Sequence, residues 1–324
     1  MRTAVGAARR RRQGTNDVMT SPLSLQASLW AGQVPDARVY VAYHDARPVL
    51  EGRHLVPIQV GRALSGMVLP GVQGDDTGDN ISGWNGGYCE LTAHYWAWRN
   101  DPSDGAIGLM HYRRLFDLGG RLPARSHPER HVAGFDTRTY AGDAARHFAR
   151  ATSRDLVVPR PVRLRRTLAR QYARCHRPEE LRAMRDVVAE RHPDFLPALD
   201  RALRGNRLLP GNMFIMPRPV LDHYSPLLFD ILHAACDRLA ARDAQPGYQA
   251  RYPGFLAERI LTAYVLGGHV QAAFPDLRVH HMGIMNIDTA VPAGATWLRL
   301  ARLCVEGRIG LRDALRLKAG RNRP

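Results

Sequence analysis

The chain has 324 residues, enough for one large domain or two small ones with a substantial core. Hydrophobic residues make up 45%, which excludes wholesale disorder. No run approaches the roughly 18 apolar residues that span a bilayer, and the net charge of +16 raises nucleic-acid binding as a first reading.

Residues 1–35 hold 5 basic and 1 acidic residue, and no apolar stretch follows the arginine run. They read as a flexible basic leader and not as a secretory signal, with Met19 as an alternative start. Residues 38–43 form a β-rich run ending at Tyr43-His44-Asp45 and are expected as the first strand. Residues 71–87 are dense in Gly, Asp, Asn and Ser and are expected as a loop. Tyr88, Leu91, Tyr95 and Trp98 recur at helical spacing, so 88–100 is expected as a helix. Residues 106–110 are a short apolar run, expected as a buried strand that leads directly into His111-Tyr112-Arg113-Arg114.

The segment 121–182 is arginine-rich, with 15 basic and 6 acidic residues, and includes an expected strand at 155–158. Helices follow at 179–191 and 195–204. A strand at 213–216 is fenced by prolines, and helices are expected at 219–242 and 255–266. Residues 270–274 and 277–281 are expected as closing strands. Within 297–318, Leu300, Leu303, Cys304, Leu311 and Leu315 can share one helical face, with Arg299, Arg302, Arg312 and Arg316 elsewhere. Residues 291–324 therefore read as a basic amphipathic helix, suited to an anionic membrane surface or to packing on protein. Short apolar strands alternating with helices predict an α/β fold, a mixed central sheet flanked by helices, over 36–290.

The charge is uneven along this layout. Residues 36–120 hold 7 basic and 10 acidic residues, and 183–298 hold 11 of each. Every basic residue except Lys318 is arginine, which reflects codon bias more than function. No nucleic-acid partner is therefore expected, and a basic nucleic-acid-binding protein stands as the alternative reading.

In open α/β sheets, ligands bind beyond the carboxyl ends of the strands. His44 lies there, as do His111, Arg113 and Arg114. In extended geometry His111 and Arg113 share one side, and Tyr112 and Arg114 the other. Two guanidinium forks at a strand end suit a phosphate, against the plainer reading of surface salt bridges. Glu258, near the start of the 255–266 helix, either complements the helix dipole or serves as a general base. The loop at 75–80 lacks the spacer and closing Glu of an EF-hand, and His280 and His281 point to opposite faces, so no metal site is expected. There is no Asp-x-Asp, P-loop, GxGxxG or GxSxG motif. The four cysteines show no metal or redox spacing, which favours reduced thiols and a cytoplasmic location.

Several ordered motifs carry a family resemblance. They are Val56-Pro-Ile-Gln-Val-Gly61, Asp76-Thr-Gly-Asp-Asn-Ile-Ser82, Asn85 with Tyr88-Cys-Glu-Leu-Thr92, and Tyr95-Trp-Ala-Trp98. Ile107-Gly-Leu with His111-Tyr-Arg-Arg114 and Phe116, Asn212-Met-Phe-Ile-Met216, Leu228-Phe-Asp-Ile-Leu232 and Gly254-Phe-Leu-Ala-Glu-Arg259 complete the set. From about residue 38 to 285 the chain resembles a family of bacterial capsule and exopolysaccharide-biosynthesis glycosyltransferases. That family was first catalogued as a domain of unknown function and is associated with galactofuranosyl transfer and a GT-A-like fold.

The resemblance implies a cytoplasmic enzyme, peripheral at the inner face of the membrane. It would move a sugar, with UDP-galactofuranose as the donor indicated, to a lipid-linked or polysaccharide acceptor such as a capsule or O-antigen chain. It implies inverting transfer with Glu258 as the base. His44, His111, Arg113 and Arg114 would bind the donor diphosphate and nucleotide. Asp79, Asn80, Asn85, Glu90, Asn212 and Arg259 would contact donor or acceptor. No cofactor is expected, because arginines stand where many such enzymes hold a metal. The chain departs from the family at Tyr43-His44-Asp45, where members carry Thr-His-Lys. A catalytically inactive sugar-binding homologue is the other alternative.

Overall fold

The computed structural model describes residues 37–123, 127–132, 135–240 and 247–287. The expected leader at 1–35 and the expected helix at 291–324 lie outside them. In chain order the elements begin with β1 (Arg38–Tyr43), β2 (Leu55–Gln59), β3 (Gln73–Gly74), α1 (Asn85–Tyr88), α2 (Leu91–Asn100), β4 (Ala106–His111) and β5 (Arg114–Phe116). Next come β6 (Glu129–His131), α3 (Thr137–Phe148), β7 (Asp155–Pro159), β8 (Val162–Arg163), α4 (Leu168–Cys175), α5 (Pro178–Arg191) and α6 (Leu196–Arg204). The last are β9 (Arg207–Leu208), β10 (Phe214–Pro217), α7 (Arg218–Ala240), α8 (Tyr252–Leu266), α9 (His269–Ala273), β11 (Arg278–Met282) and β12 (Ile284–Asn286).

Among the described residues the main sheet runs β11-β7-β10-β4-β1-β2-β3, with β5, β6 and β12 joined at its side. β1, β2, β3 and β4 are parallel, and β10 is inserted antiparallel between β4 and β7. The fold is the expected mixed α/β architecture.

β1 shows why the sheet needs helices on both faces. Val39, Val41 and Tyr43 enter one core with Tyr140, Ala144 and Phe148 of α3. Tyr40 points the other way, packs edge-on against Trp96 of α2 at 5.7 Å, and donates its hydroxyl to Asp101 Oδ2 at 2.6 Å. A strand buried on both faces reads as a continuous apolar run, which made it legible. At the centre of β4, a Cβ on Gly108 would lie 2.9 Å from Val39 Cγ2 and 3.0 Å from Ile215 Cγ1. Glycine there lets the two flanking strands fill that level of the sheet with their own side chains.

Three expectations need correction. Residues 270–274 are not a strand: α9 occupies that place, entered through Gly268 in the left-handed region at φ 86°. The 88–100 helix is interrupted, because Cys89 takes φ 52° between α1 and α2. The buried residues of α2 are Leu91, Thr92, Ala93, His94 and Ala97, while Tyr95 and Trp98 cover Phe229 of α7 at 5.0 and 5.9 Å. The 71–87 loop holds one short strand, β3, added to the sheet edge. The three described cysteines form no disulfide with one another, and Cys175 is exposed.

His94 is buried among Phe214, Tyr224 and Phe229, with Nε2 2.8 Å from Ser225 Oγ. Burial pushes its pKa from 6.5 down to about 3, so the folded state holds it neutral. The unfolded chain binds a proton first, so stability is lost as pH falls below 6.5. By this residue alone the loss by about pH 4 should be roughly 3 kcal/mol. Urea titrations should show a smaller acid loss in His94→Gln. An unchanged acid limb would place the sensitivity elsewhere.

Candidate active site

The end of β4 does not continue as an extended strand. His111 pairs with Arg114 across an antiparallel β4–β5 hairpin, and Tyr112-Arg113 form the turn. The expected pairing of His111 with Arg113 on one side is therefore wrong: His111 and Arg114 are the cross-strand neighbours. The reason is tertiary. Tyr112 stacks on Tyr43 at 5.5 Å, its N–H donates to Ala42 O at 3.1 Å, and β12 pairs with the returning strand.

The hairpin divides the motif between two corners. At the end of β1, the Tyr112 hydroxyl lies 3.1 Å from His44 Nε2 and 3.4 Å from Asp45 Oδ2, and Arg113 rests over the Tyr112 ring at 4.9 Å. His44 thus belongs to a tyrosine–histidine corner beside the exposed Arg113.

The other corner gathers around Gly211. His111 Nε2 lies 2.8 Å from Gly211 O, and the Gly211 N–H donates to Glu258 Oε1 at 2.7 Å. A carbonyl only accepts, so Nε2 carries the proton and donates. Burial pushes the imidazole's pKa down, with Arg114 and Arg113 acting the same way and Glu90 and the Gly211 bond opposing. His111 is therefore a neutral donor to the backbone, and the positive charge at this strand end comes from Arg113 and Arg114.

Gly211 and Asn212 both have positive φ, 80° and 51°. A Cβ on Gly211 would lie 3.7 Å from Arg114 Nη1 and 3.7 Å from Met213 Cγ and Sδ, so space is available and the left-handed backbone is what favours glycine. The turn aims both backbone groups of Gly211 at side chains. Asn212, 4% exposed, donates Nδ2 to Glu90 Oε1 at 2.8 Å and to Gly254 O at 3.1 Å. Its Oδ1 is buried with no partner among the described residues. Glu90, at the N-terminus of α2, is thereby tied to the same turn.

Glu258 lies on α8, and its side chain is 20% exposed. Burial pushes its pKa up, while Arg259, the Gly211 N–H and Arg114 pull it down and Glu90 pushes it up. Arg259 is not a surface contact. Only 2% exposed, it gives Nη1 to Glu258 Oε2 and Phe255 O, each at 2.9 Å, and Nη2 to Gln171 Oε1 at 2.6 Å. Its guanidinium lies over the Tyr172 ring at 5.1 Å. The expected donor or acceptor contact at Arg259 is replaced by a buried brace behind Glu258.

The structure thus brings together Glu90, His111, Arg114, Asn212 and Glu258. Asp79, Asn80 and Asn85 are engaged in local structure. Asp79 accepts from Arg99 Nε at 2.6 Å and the Tyr95 hydroxyl at 3.1 Å. Asn80 Oδ1 accepts from Ser82 N–H at 3.2 Å, and Asn85 donates Nδ2 to Cys89 O at 2.7 Å. In the neighbouring acidic loop, Asp75 is fully buried and accepts from the N–H groups of Gly61 and Arg62, a hydrogen-bonded turn. Among the described residues no group of three or more His, Cys, Asp or Glu side chains is placed to hold a metal ion. Side-chain reasoning missed Gly211 and Gln171. Gly211 acts through its backbone, and Pro210-Gly211 had signalled only a turn. A cavity of about 420 Å³ between α3 and strands β7 and β11 contains none of these residues.

The sequence profile of a family described as "Domain of unknown function (DUF4422)" matches residues 38–269. The apo structure of the bifunctional glycosyltransferase WbbM is similar over 78% of this chain, at 25% identity and a TM-score of 0.68. The similarity covers 46% of that chain, so this protein spans about half the length of that structure. No curated protein matches.

Proposed function

Since the chain belongs to the DUF4422 family, and since its fold is that of a region of a glycosyltransferase, we propose that it transfers a sugar from a nucleotide-sugar donor to a hydroxyl acceptor. The observation that carries this reading is the convergence of Glu258, His111 and Arg114 on Gly211, beyond the carboxyl end of a central parallel strand.

Glu258 takes the proton of the acceptor hydroxyl as its oxygen bonds to the anomeric carbon. The bond from that carbon to the diphosphate oxygen breaks, and the nucleoside diphosphate leaves with the electron pair. Attack opposite the leaving group inverts the anomeric centre. In this reading Arg114, beside Gly211, and the exposed Arg113, at the other corner of the hairpin, offer cations to the charge that develops on the diphosphate. His111 holds the Gly211 turn that in turn holds Glu258. Glu90 supplies an acceptor for substrate hydroxyls, and the buried Asn212 holds it in place through its Nδ2. Within this reading the donor is UDP-galactofuranose and the acceptor a growing surface polysaccharide or its lipid-linked precursor, with the enzyme on the cytoplasmic side of the membrane.

A ligand that binds only the folded state raises its thermal midpoint. In a panel of nucleotide sugars, UDP-linked hexoses should stabilise the chain, and EDTA should leave both the shift and turnover unchanged. A shift and an activity that vanish in EDTA and return with Mn²⁺ would overturn the metal-free assignment.

A further inference from the structure

A cationic surface adjoins the candidate site. Residues 156–178 hold seven arginines and no acidic residue, and residues 201–221 hold four arginines and no acidic residue. Codon bias explains arginine in place of lysine but not the absence of carboxylates. The fold brings the two runs together. β8 and β9 pair antiparallel, and their register sets Arg163 directly opposite Arg207. Like charges so placed are destabilising. Both residues are exposed, as are Arg165 and Arg166 in the loop after β8, and none of the four is ion-paired with a carboxylate among the described residues. That loop is fixed to the second run. The Leu164 N–H donates to Asn206 O at 2.8 Å, Asn206 Nδ2 to Leu164 O at 3.0 Å, and the Leu168 N–H to Gly205 O at 2.8 Å.

The surface continues into the site scaffold at both ends. Gly211 follows Arg207 by four residues, so at most about 14 Å of chain separates them. β9 leads into an anchor on α8, one turn from Glu258. The Leu209 N–H donates to Thr262 Oγ1 at 3.0 Å, and the Thr262 hydroxyl donates to Glu258 O at 2.7 Å. After Arg166 the chain enters α4, which carries Gln171, the acceptor for Arg259.

We propose that this surface holds the acceptor, and that the acceptor is an acidic glycan whose carboxylates pair with Arg163, Arg165, Arg166 and Arg207 while its growing end reaches Glu258. The proposal rests on the transferase reading and adds the charge class of its substrate. A planar guanidinium meets a carboxylate fork to fork, and an anion between Arg163 and Arg207 relieves their repulsion. Other partners fit less well. A phosphate is seated by free N–H groups at a helix N-terminus, and at α4 the Leu168 N–H is spent on Gly205 O and the Arg170 N–H on Thr167 Oγ1 at 3.3 Å. Single-stranded nucleic acid stacks on aromatic platforms, and residues 159–171 and 200–213 contain no aromatic residue. None of the large hydrophobic side chains exposed among the described residues lies in either run, so the surface offers a bilayer no apolar anchor.

The test is equilibrium binding of the full chain, without donor, to an oligogalacturonate, a neutral oligogalactan and a single-stranded oligothymidylate of matched length. The oligogalacturonate should bind more tightly than either of the others. Arg163→Gln combined with Arg207→Gln should weaken its binding by roughly tenfold. The thermal midpoint of that variant should equal or exceed the parent's, because a like-charge pair is gone. If the midpoint falls instead, Arg165→Gln with Arg166→Gln, outside the paired strands, should show the same loss of binding. Three results would overturn the proposal: an oligogalacturonate bound no more tightly than the neutral oligogalactan; tighter binding of the oligothymidylate, which would make nucleic acid the occupant; or variants that bind like the parent. Because binding is read without donor, failure here leaves transfer to a neutral acceptor standing, whereas a chain that binds the acidic glycan yet transfers no sugar to any acceptor refutes the transferase reading alone.

Discussion

Glu258→Gln should lower transfer by roughly 10²- to 10⁴-fold while nucleotide-sugar binding persists. The amide keeps the size of the side chain, and its carbonyl can still accept the Gly211 N–H that Glu258 Oε1 accepts at 2.7 Å. What it loses is the basic carboxylate oxygen that would take the acceptor proton. The same residue sets the acid limb of the pH profile. Burial lifts its pKa above 4.5, so the rate should rise with pH through a value above the ordinary carboxylate range. Paired measurements of turnover and donor-induced thermal shift check both halves. A variant with near-normal rates would assign the proton to another group.

Arg259→Leu should be the most destabilising single change near the site, costing roughly 3–5 kcal/mol at neutral pH. The guanidinium is 2% exposed and donates to Glu258, Phe255 O and Gln171 Oε1, so leucine would leave a carboxylate uncompensated and two acceptors bare. The pH dependence has a definite sign. Arg259 pulls the Glu258 pKa down, so its removal raises that pKa further above 4.5. Between the unfolded and the raised folded value, the folded state holds the extra proton, and stability falls as pH rises. Urea titrations should therefore show a smaller penalty at acid pH, where Glu258 is protonated in both states. In Arg259→Lys, which retains a charge, the rate profile should shift less than in Arg259→Leu. Equal penalties at both pH values would mean that Arg259 acts only through packing.

Much of the fold was legible because its signals are local. β1, β4 and β10 are apolar runs bounded by polar or Gly/Pro residues, and α8 is a long apolar segment led by Pro253-Gly254. What misled was set by tertiary context. Val270–Phe274 is rich in apolar residues, yet after the left-handed Gly268 it winds into α9. Tyr112-Arg113 lacks the Gly, Asn or Asp that announces a tight turn, and the hairpin closes because Tyr112 is held against Tyr43. Of the candidate site, His111, Arg114 and Glu258 were visible from their place at a strand end and near a helix start, while Glu90 and Asn212 were indicated only by the motifs of the family resemblance. Asp79, Asn80 and Asn85 share those motifs but serve turns and caps, a use that residue type alone does not distinguish. Gly211 was silent because its contribution is two backbone bonds, and Arg259 misled because a buried arginine looks in sequence like an exposed one.

The central claim is sugar transfer from a nucleotide donor, and mass spectrometry of an oligosaccharide acceptor incubated with UDP-hexose and the full chain tests it most directly. The account predicts an acceptor extended by one hexose, with nucleoside diphosphate released in equal amount, and almost no product from Glu258→Gln. An unextended acceptor across all nucleotide sugars that stabilise the protein, or cleavage of the acceptor without any donor, would contradict it.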